Sequence, residues 1–306
     1  MPILSRRDFL TRAASAASVS AAALLCPRRA FANPLGLPLG IQLYMISDAM
    51  RSDAAAAIRQ VAAIGYKEAE PAGFGSLKTA SALKRVLDEN GLKCPSAHVV
   101  YSMNALQKAF DDANALGCTY ATASVARMLI PPPGKTNIEA LMAPLGKDDL
   151  ERLAAAMNTV GAQAKKNGLL FASHNHTDMF AKVNGGTGLD FLMAHTDPAT
   201  VKFELDCGWA AVAGADPAQI VRRHAGRIPM LHIKDFLKIE PGMQAGGPNR
   251  PLGAEIGTGA VDYRKIFPRM RGCGVQHIFV EQEGPYTSFT QMQAAQADYK
   301  YLHAIS

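Results

Sequence analysis

Short, mostly apolar runs alternate with longer amphipathic stretches from Gly40 to the end of the chain. Apolar runs without strict alternation are the pattern of parallel strands buried on both faces, and the stretches between them carry the i, i+3, i+4 spacing of helices. The pattern predicts strands over Gly40–Ile46, Tyr66–Glu70, Pro95–Val100, Tyr120–Val125, Leu169–His174, Val201–Asp206, Pro229–Lys234 and His277–Glu281. It predicts helices over Ser52–Ile64, Ser76–Asn90, Asn104–Leu116, Asp148–Asn167, Leu189–His195, Pro217–His224, Tyr263–Met270 and Gln291–Leu302. Gly91, Gly117 and Gly168 close three of these helices and Asp216 opens another, as capping preferences require. A strand–helix unit repeated in this way along one chain predicts an α/β protein, a closed (β/α)8 TIM barrel, in preference to an open doubly wound sheet. No GxGxxG follows the first strand, which removes the main argument for a dinucleotide fold.

Two segments interrupt the alternation. One is Pro-rich, from Ile130 to Gly146; the other is rich in Gly and Pro, from Leu237 to Gly259. Long connections without structure of their own are uncommon inside compact domains and are often functional. The second begins just after Asp235, on the rim where barrel enzymes place their chemistry, and is expected to form a lid or rim there.

The first 32 residues follow a different rule. Ser5-Arg6-Arg7-Asp8-Phe9-Leu10 has the twin-arginine pattern, Ala13–Leu25 is apolar, and Ala30-Phe31-Ala32 is a small-x-small cleavage site. This predicts a twin-arginine signal peptide over 1–32, a barrel domain over 33–306, engagement with the twin-arginine translocase, and a periplasmic location. The apolar stretch falls short of the ~20 residues of a membrane span, so no stable membrane anchor is expected. Leu25 before Cys26 is larger than lipoprotein cleavage tolerates.

The leader also carries much of the charge. Its five Arg and one Asp account for +4 of the formal +6, leaving about +2 for the rest. That surplus is too small to suggest a nucleic-acid or anionic-membrane partner. Four cysteines follow the leader, Cys94, Cys118, Cys207 and Cys273; none forms a CxxC pair, and buried free thiols are the expected state. An apolar fraction of 48% allows a sizeable core and leaves a homo-oligomer open.

Polar residues gather at the C-terminal ends of the predicted strands: Gln42, Glu70, His98, His174 with His176, Asp206, His232 with Lys234, and Glu281 with Glu283. Side chains two apart on a strand share a face. Burying a polar group unpaired costs roughly 2–7 kcal/mol, so such residues need a reason. For His98 and Glu70, a hydrogen-bonded core role and a functional role weigh equally. For Asp206, His232 and Glu281, metal-competent groups at corresponding heights of successive strands, packing is the weaker account. Their mixture of carboxylate and imidazole suits one divalent ion, Mn2+, Mg2+, Zn2+ or Co2+.

The segments Gly40-Ile41-Gln42-Leu43-Tyr44, Gly65-Tyr66-Lys67-Glu68-Ala69-Glu70, His174-Asn175-His176, Glu204-Leu205-Asp206-Cys207-Gly208-Trp209, Leu231-His232-Ile233-Lys234-Asp235-Phe236 and Val280-Glu281-Gln282-Glu283 resemble the xylose isomerase-like TIM-barrel family, and within it the sugar phosphate isomerase/epimerase branch. The resemblance implies one divalent metal held by Asp206, His232, Glu281 and, where the epimerases have Glu, His174. Only Glu281 then remains of the two metal-bound glutamates that exchange protons in the epimerases. Met179 stands where the His-Asn-His branch often has Glu.

The expected chemistry is isomerisation or epimerisation of an unphosphorylated sugar or keto-sugar through a metal-stabilised enediolate. Glu281 or His176 would move the proton and Lys234 would face the oxyanion. Gln42, Glu70, His98, Trp209 and Glu283 are expected to contact substrate, although Trp209 has a packing alternative. The resemblance also allows a periplasmic 3-keto-glycoside lyase or hydrolase on the same site. A sugar-binding protein without catalysis is disfavoured by retention of Asp206, His232, Lys234 and Glu281. A nuclease is disfavoured by the near-neutral charge.

Overall fold

The computed structural model describes residues 33–130, 145–183, 185–246, 248–286 and 289–305. The predicted leader and nearly all of the Pro-rich insertion lie outside them. Parallel strands β1 (Leu39–Gln42), β2 (Glu68–Glu70), β3 (Ser96–His98), β4 (Tyr120–Ala123), β5 (Leu170–His174), β6 (Val201–Asp206), β7 (Met230–Ile233) and β8 (His277–Val280) form one sheet in the order β2-β1-β8-β7-β6-β5-β4-β3. The two ends approach each other through a bridge between Glu68 and Lys93 and through His98 N–H donating to Pro71 O at 2.8 Å. The result is the expected TIM barrel, nearly closed, with helices interleaved between the strands.

Strand β6 has the predicted bounds, and the other strands are shorter than predicted. The run Gly40–Ile46 is strand only to Gln42, whose side chain accepts from Tyr44 N–H and turns Leu43–Ile46 into a 3-10 helix. The next helix spans Ser47–Ile64, but Asp53 inside it has extended dihedrals and caps Ala56 N–H at 3.0 Å. The amphipathic pattern had located this second start. Thr79 similarly delays the following helix to Ala80, because its hydroxyl accepts from Ala82 N–H. A helix over Cys207–Val212 was not expected; Asp206 at the end of β6 caps it directly through Trp209 N–H.

The segment after β7 is more ordered than the sequence suggests. Asp235–Phe236 pairs antiparallel with Gly253–Ala254. Asp235 accepts from the backbone N–H of Phe236 (2.8 Å), Gly257 (3.0 Å), Gly259 (3.0 Å) and Val261 (2.9 Å), so one buried carboxylate gathers the returning chain. Asp298, on the helix Gln291–Ala304, accepts from Ile256 N–H at 2.6 Å. Among the described residues no helix is long and apolar enough to cross a membrane.

Asp298 is fully buried and its Oδ2 has no hydrogen-bond partner. Burial pushes its carboxyl well above the usual range, against the pull of Ile256 N–H. A carboxyl raised in this way costs nothing below its unfolded-chain value and progressively more as pH climbs toward the folded value. Asn keeps the acceptor without the charge. The stability of Asp298→Asn relative to wild type should therefore rise as pH goes from about 4 to 8. Thermal melts across that window test this; a difference that is flat or falls with pH would refute it.

Candidate metal centre

Strand register brings the polar strand ends together. Asp206 pairs with His232, His174 with Glu204 and Gln42 with Glu70 across neighbouring strands. The side chains lie in two tiers. The inner tier holds Gln42, Glu70, His98 and Glu204. The outer tier holds Asp206, Lys234, Glu281 and Glu283. His174 and His232 touch both.

In the inner tier, Glu70 Oε2 accepts from Gln42 Nε2 at 3.0 Å and lies 2.7 Å from His232 Nε2 and 3.3 Å from His98 Nε2. His98 Nε2 is 2.8 Å from Glu204 Oε2, and its Nδ1 is 2.6 Å from Ser124 Oγ. These groups are buried and bonded to one another through one oxygen of each glutamate, while Glu70 Oε1 and Glu204 Oε1 have no hydrogen-bond partner. Gln42, Glu70 and His98, expected to contact substrate, are buried and do not line the cavity described below, and neither do His174, Asp206, His232, Glu281 or Lys234. Glu204 was not singled out from the sequence at all. The available signal was its position two residues before Asp206, on the same face of the strand.

In the outer tier, one ligand atom each from His174, Asp206, His232 and Glu281 lies within 4.8 Å of the others. Nitrogen and oxygen ligands at about 2.0–2.6 Å from a shared ion would stand slightly closer together, a difference within side-chain movement. Asp206 divides its duties: Oδ1 accepts from Trp209 N–H at 2.7 Å, while Oδ2 lacks a hydrogen-bond partner and meets Lys234 Nζ only as an ion pair at 3.1 Å. A buried carboxylate oxygen without a hydrogen bond, beside a second carboxylate and two imidazoles, fits a hard or borderline divalent cation. Neighbouring His176 is outside this set; its ring stands edge-on to that of His174 at 5.1 Å.

Lys234 governs the charge here. Wholly buried, its Nζ is 2.6 Å from Glu281 Oε2 and 2.5 Å from Glu283 Oε1 as well as 3.1 Å from Asp206. Burial disfavours the ammonium, but these carboxylates outweigh it and hold Lys234 well above the ordinary lysine range. Glu281 is held well below the ordinary range, because Lys234 and His232 outweigh its burial. His98 is raised to about 10: burial opposes its charge, but Glu70 and Glu204 prevail. Burial and the charge of His232 lower His174 to about 4, leaving it neutral.

The frame around Lys234 is specific. The Tyr263 hydroxyl accepts from Lys234 N–H at 3.0 Å and donates to Lys234 O at 2.6 Å. Gly208 lets the helix Cys207–Val212 approach, since a Cβ there would meet Lys234 O at 2.9 Å. Trp209 is buried, 4.7 Å from Phe236, with the Lys234 and Arg250 cations over its ring at 5.1 and 5.8 Å. The packing alternative thus describes much of its contact, although its edge borders a cavity.

That cavity is about 920 Å3, and its wall includes His176, Trp209, Glu283, Ile239, Met243 and Gln244. This lies near the top of the ~300–1,000 Å3 typical of small-molecule pockets. Ile239, Met243 and Ala245 pack against Trp209, Val212 and Phe236, and Ala245 N–H donates to Thr177 Oγ1 at 3.0 Å. The expected rim segment therefore walls the cavity. Glu283, bonded to Lys234 and ion-paired with Arg250, joins it to the donor set.

A family model described as xylose isomerase-like TIM barrel matches residues 58–305. The inosose dehydratase of Lacticaseibacillus casei is 28% identical over 165 residues, covering 51% of this chain and 55% of that protein. That of Mesomycoplasma hyopneumoniae (strain 7448) is 29% identical over 196 residues, covering 60% of this chain and 62% of the other. The chain thus spans little more than half the length of these relatives. A solved sugar phosphate isomerase/epimerase from Parabacteroides distasonis superposes with a TM-score of 0.65 at 23% identity, covering 87% of this chain and 94% of that one. The 3-keto-D-glucoside 4-epimerase of E. coli does so with a TM-score of 0.61 at 15% identity, covering 87% and 98%. At these identities the likeness is one of fold.

Removing one partner from a buried charge cluster costs roughly 3–5 kcal/mol. Without added metal, Lys234→Met should lose stability on that order in urea unfolding, because three carboxylates lose their cation. Mn2+ held by Asp206 and Glu281 would replace that charge, so it should stabilise the variant more than wild type. Equal stabilisation of both proteins would place the ion elsewhere.

Proposed function

Because this chain belongs to the xylose isomerase-like TIM-barrel family, we propose that it is a divalent-metal-dependent enzyme that isomerises or epimerises an unphosphorylated sugar or keto-sugar. The observation that carries this reading is the quartet His174, Asp206, His232 and Glu281, with Lys234 against two of its carboxylates. The similar proteins include dehydratases as well as isomerases and epimerases. For a carbonyl sugar these reactions share a first step, removal of a proton beside the carbonyl. The chain carries no P-loop for a phosphate.

When bound, the ion supplies a Lewis acid that acidifies that C–H. Glu281 Oε2 takes the proton. Its basicity is low while Lys234 lies 2.6 Å away, and rises as the ammonium turns to the oxygen that gains charge. Proton return at the adjacent carbon gives an isomer; return on the opposite face gives an epimer. His176, half-buried on the cavity wall, is the second proton carrier in reach. The cavity bounded by 239–246 holds the rest of the sugar away from bulk water.

The twin-arginine pattern supports export to the periplasm in a folded state. On this reading the metal is loaded in the cytoplasm before translocation, where the available ion is controlled. Replacing Arg6 and Arg7 with Lys should leave uncleaved precursor in the cytoplasm, as fractionation and immunoblotting would show. Undiminished export would rule the route out.

Glu281→Gln keeps a ligand oxygen but cannot accept a proton. It should abolish deuterium wash-in beside the carbonyl in heavy water while metal stays bound. Lys234→Met should lower kcat more than it raises KM, because the oxyanion exists only after proton removal. Wash-in as fast as wild type in Glu281→Gln would make His176 the base. Release of a leaving group in place of a labelled, rearranged sugar would make the reaction a lyase.

A further inference from the structure

Glu204 has no part in that scheme, yet it stands against three imidazoles at once. It is fully buried, and its Oε2 lies 2.8 Å from His98 Nε2, 3.2 Å from His174 Nδ1 and 3.2 Å from His232 Nε2. An ionised carboxylate only accepts, so each ring nitrogen facing it must carry the hydrogen. His174 then has Nε2 left, and that nitrogen is 3.9 Å from Asp206 Oδ2. The Nε2 of His232 is held by Glu70 Oε2 at 2.7 Å as well as by Glu204, while its Nδ1 faces Glu281 Oε2 at 3.1 Å. The two rings are thus engaged in opposite senses. His174 keeps Nε2 free, whereas by the same rule Nδ1 of His232 carries a hydrogen toward Glu281 in the metal-free protein, and it is this hydrogen that an ion in the outer tier would displace.

The inner tier has its own candidate donor set, His98, His174, Glu204 and His232. The spacing within it argues against a second ion through Glu204 Oε2. Ligands of one ion stand about 3 Å or more apart around it, whereas His98 Nε2 and Glu204 Oε2 approach to 2.8 Å, the separation of a charge-assisted N–H···O bond.

We propose that Glu204, assisted by Glu70, is the positioning residue of the metal centre: it fixes which nitrogen each histidine ligand turns to the ion, so that His174 binds through Nε2 and His232 through Nδ1. The assignment rests on the metal reading above and goes beyond it. Carboxylates behind metal-bound histidines typically govern ten- to hundred-fold in metal affinity.

Co2+ titration of the metal-free protein, followed by calorimetry and the visible absorption of the bound ion, tests the assignment. Wild type should take up one Co2+ per chain. Glu204→Gln should bind it at least ten-fold more weakly, with an altered spectrum. Unchanged affinity and spectrum overturn the proposal, as does a stoichiometry of two in wild type that falls to one in the variant. Wild type that binds no Co2+ overturns the metal reading itself. If Glu204→Gln does not fold, long-range 1H–15N spectra of Zn2+-loaded wild type decide the point. They should show the ring proton on Nδ1 of His174 and on Nε2 of His232, and the opposite pattern at either ring overturns the assignment.

Discussion

The structure turns on the need to neutralise several carboxylates brought into one end of a narrow, dry barrel. Asp206 at the end of β6 and Glu281 and Glu283 just past β8 are brought together across β7, and the first two are too buried to rely on water. Lys234, immediately after β7, supplies the cation that lets them coexist. Beneath them, His98 and His232 do the same for Glu70 and Glu204. Attraction in a low-dielectric interior offsets desolvation only when geometry and hydrogen bonding are both good. That condition explains why so much nearby structure serves to hold these few side chains still.

The supports act on backbone as much as on side chains. Tyr263 grips both the N–H and the C=O of Lys234, Gly208 removes the one Cβ that would push its helix away, and Asp206 caps that helix with the oxygen it does not turn to Lys234. The same residue therefore ends a strand, starts a helix and faces the site. A substitution that alters one of these duties alters the others, so effects measured at Asp206 do not divide cleanly into structure and chemistry.

Much of this was legible in the amino-acid order. Continuous apolar runs closed by polar residues located every barrel strand and the rim that carries the chemistry, because a strand buried on both faces tolerates polarity only where it emerges. Asp206, His232 and Glu281 were readable as a converging set for the same reason. Glu204 was not, since a single chain does not reveal which of two inward residues on one strand stands in which layer; barrel tilt decides that. The strand ends were overrun where a side chain captures its own backbone, as Gln42 does with Tyr44. The place of Trp209 after Asp206 is compatible with substrate contact or with packing, and the structure gives it both a cavity edge and contacts with Lys234, Arg250 and Phe236.

Asp235 holds the chain on both sides of the segment that walls the cavity. It bonds Phe236 N–H at the departure and Gly257, Gly259 and Val261 N–H at the return. Both feet of the excursion stand on one fixed point, and the two-stranded ribbon keeps them together. The stretch between the feet is in effect a cassette whose backbone ends are held apart from its contents. Descendants of such a chain could rewrite the cavity wall there, provided that Arg250, which ties the stretch to Glu283, is kept or replaced by another cation.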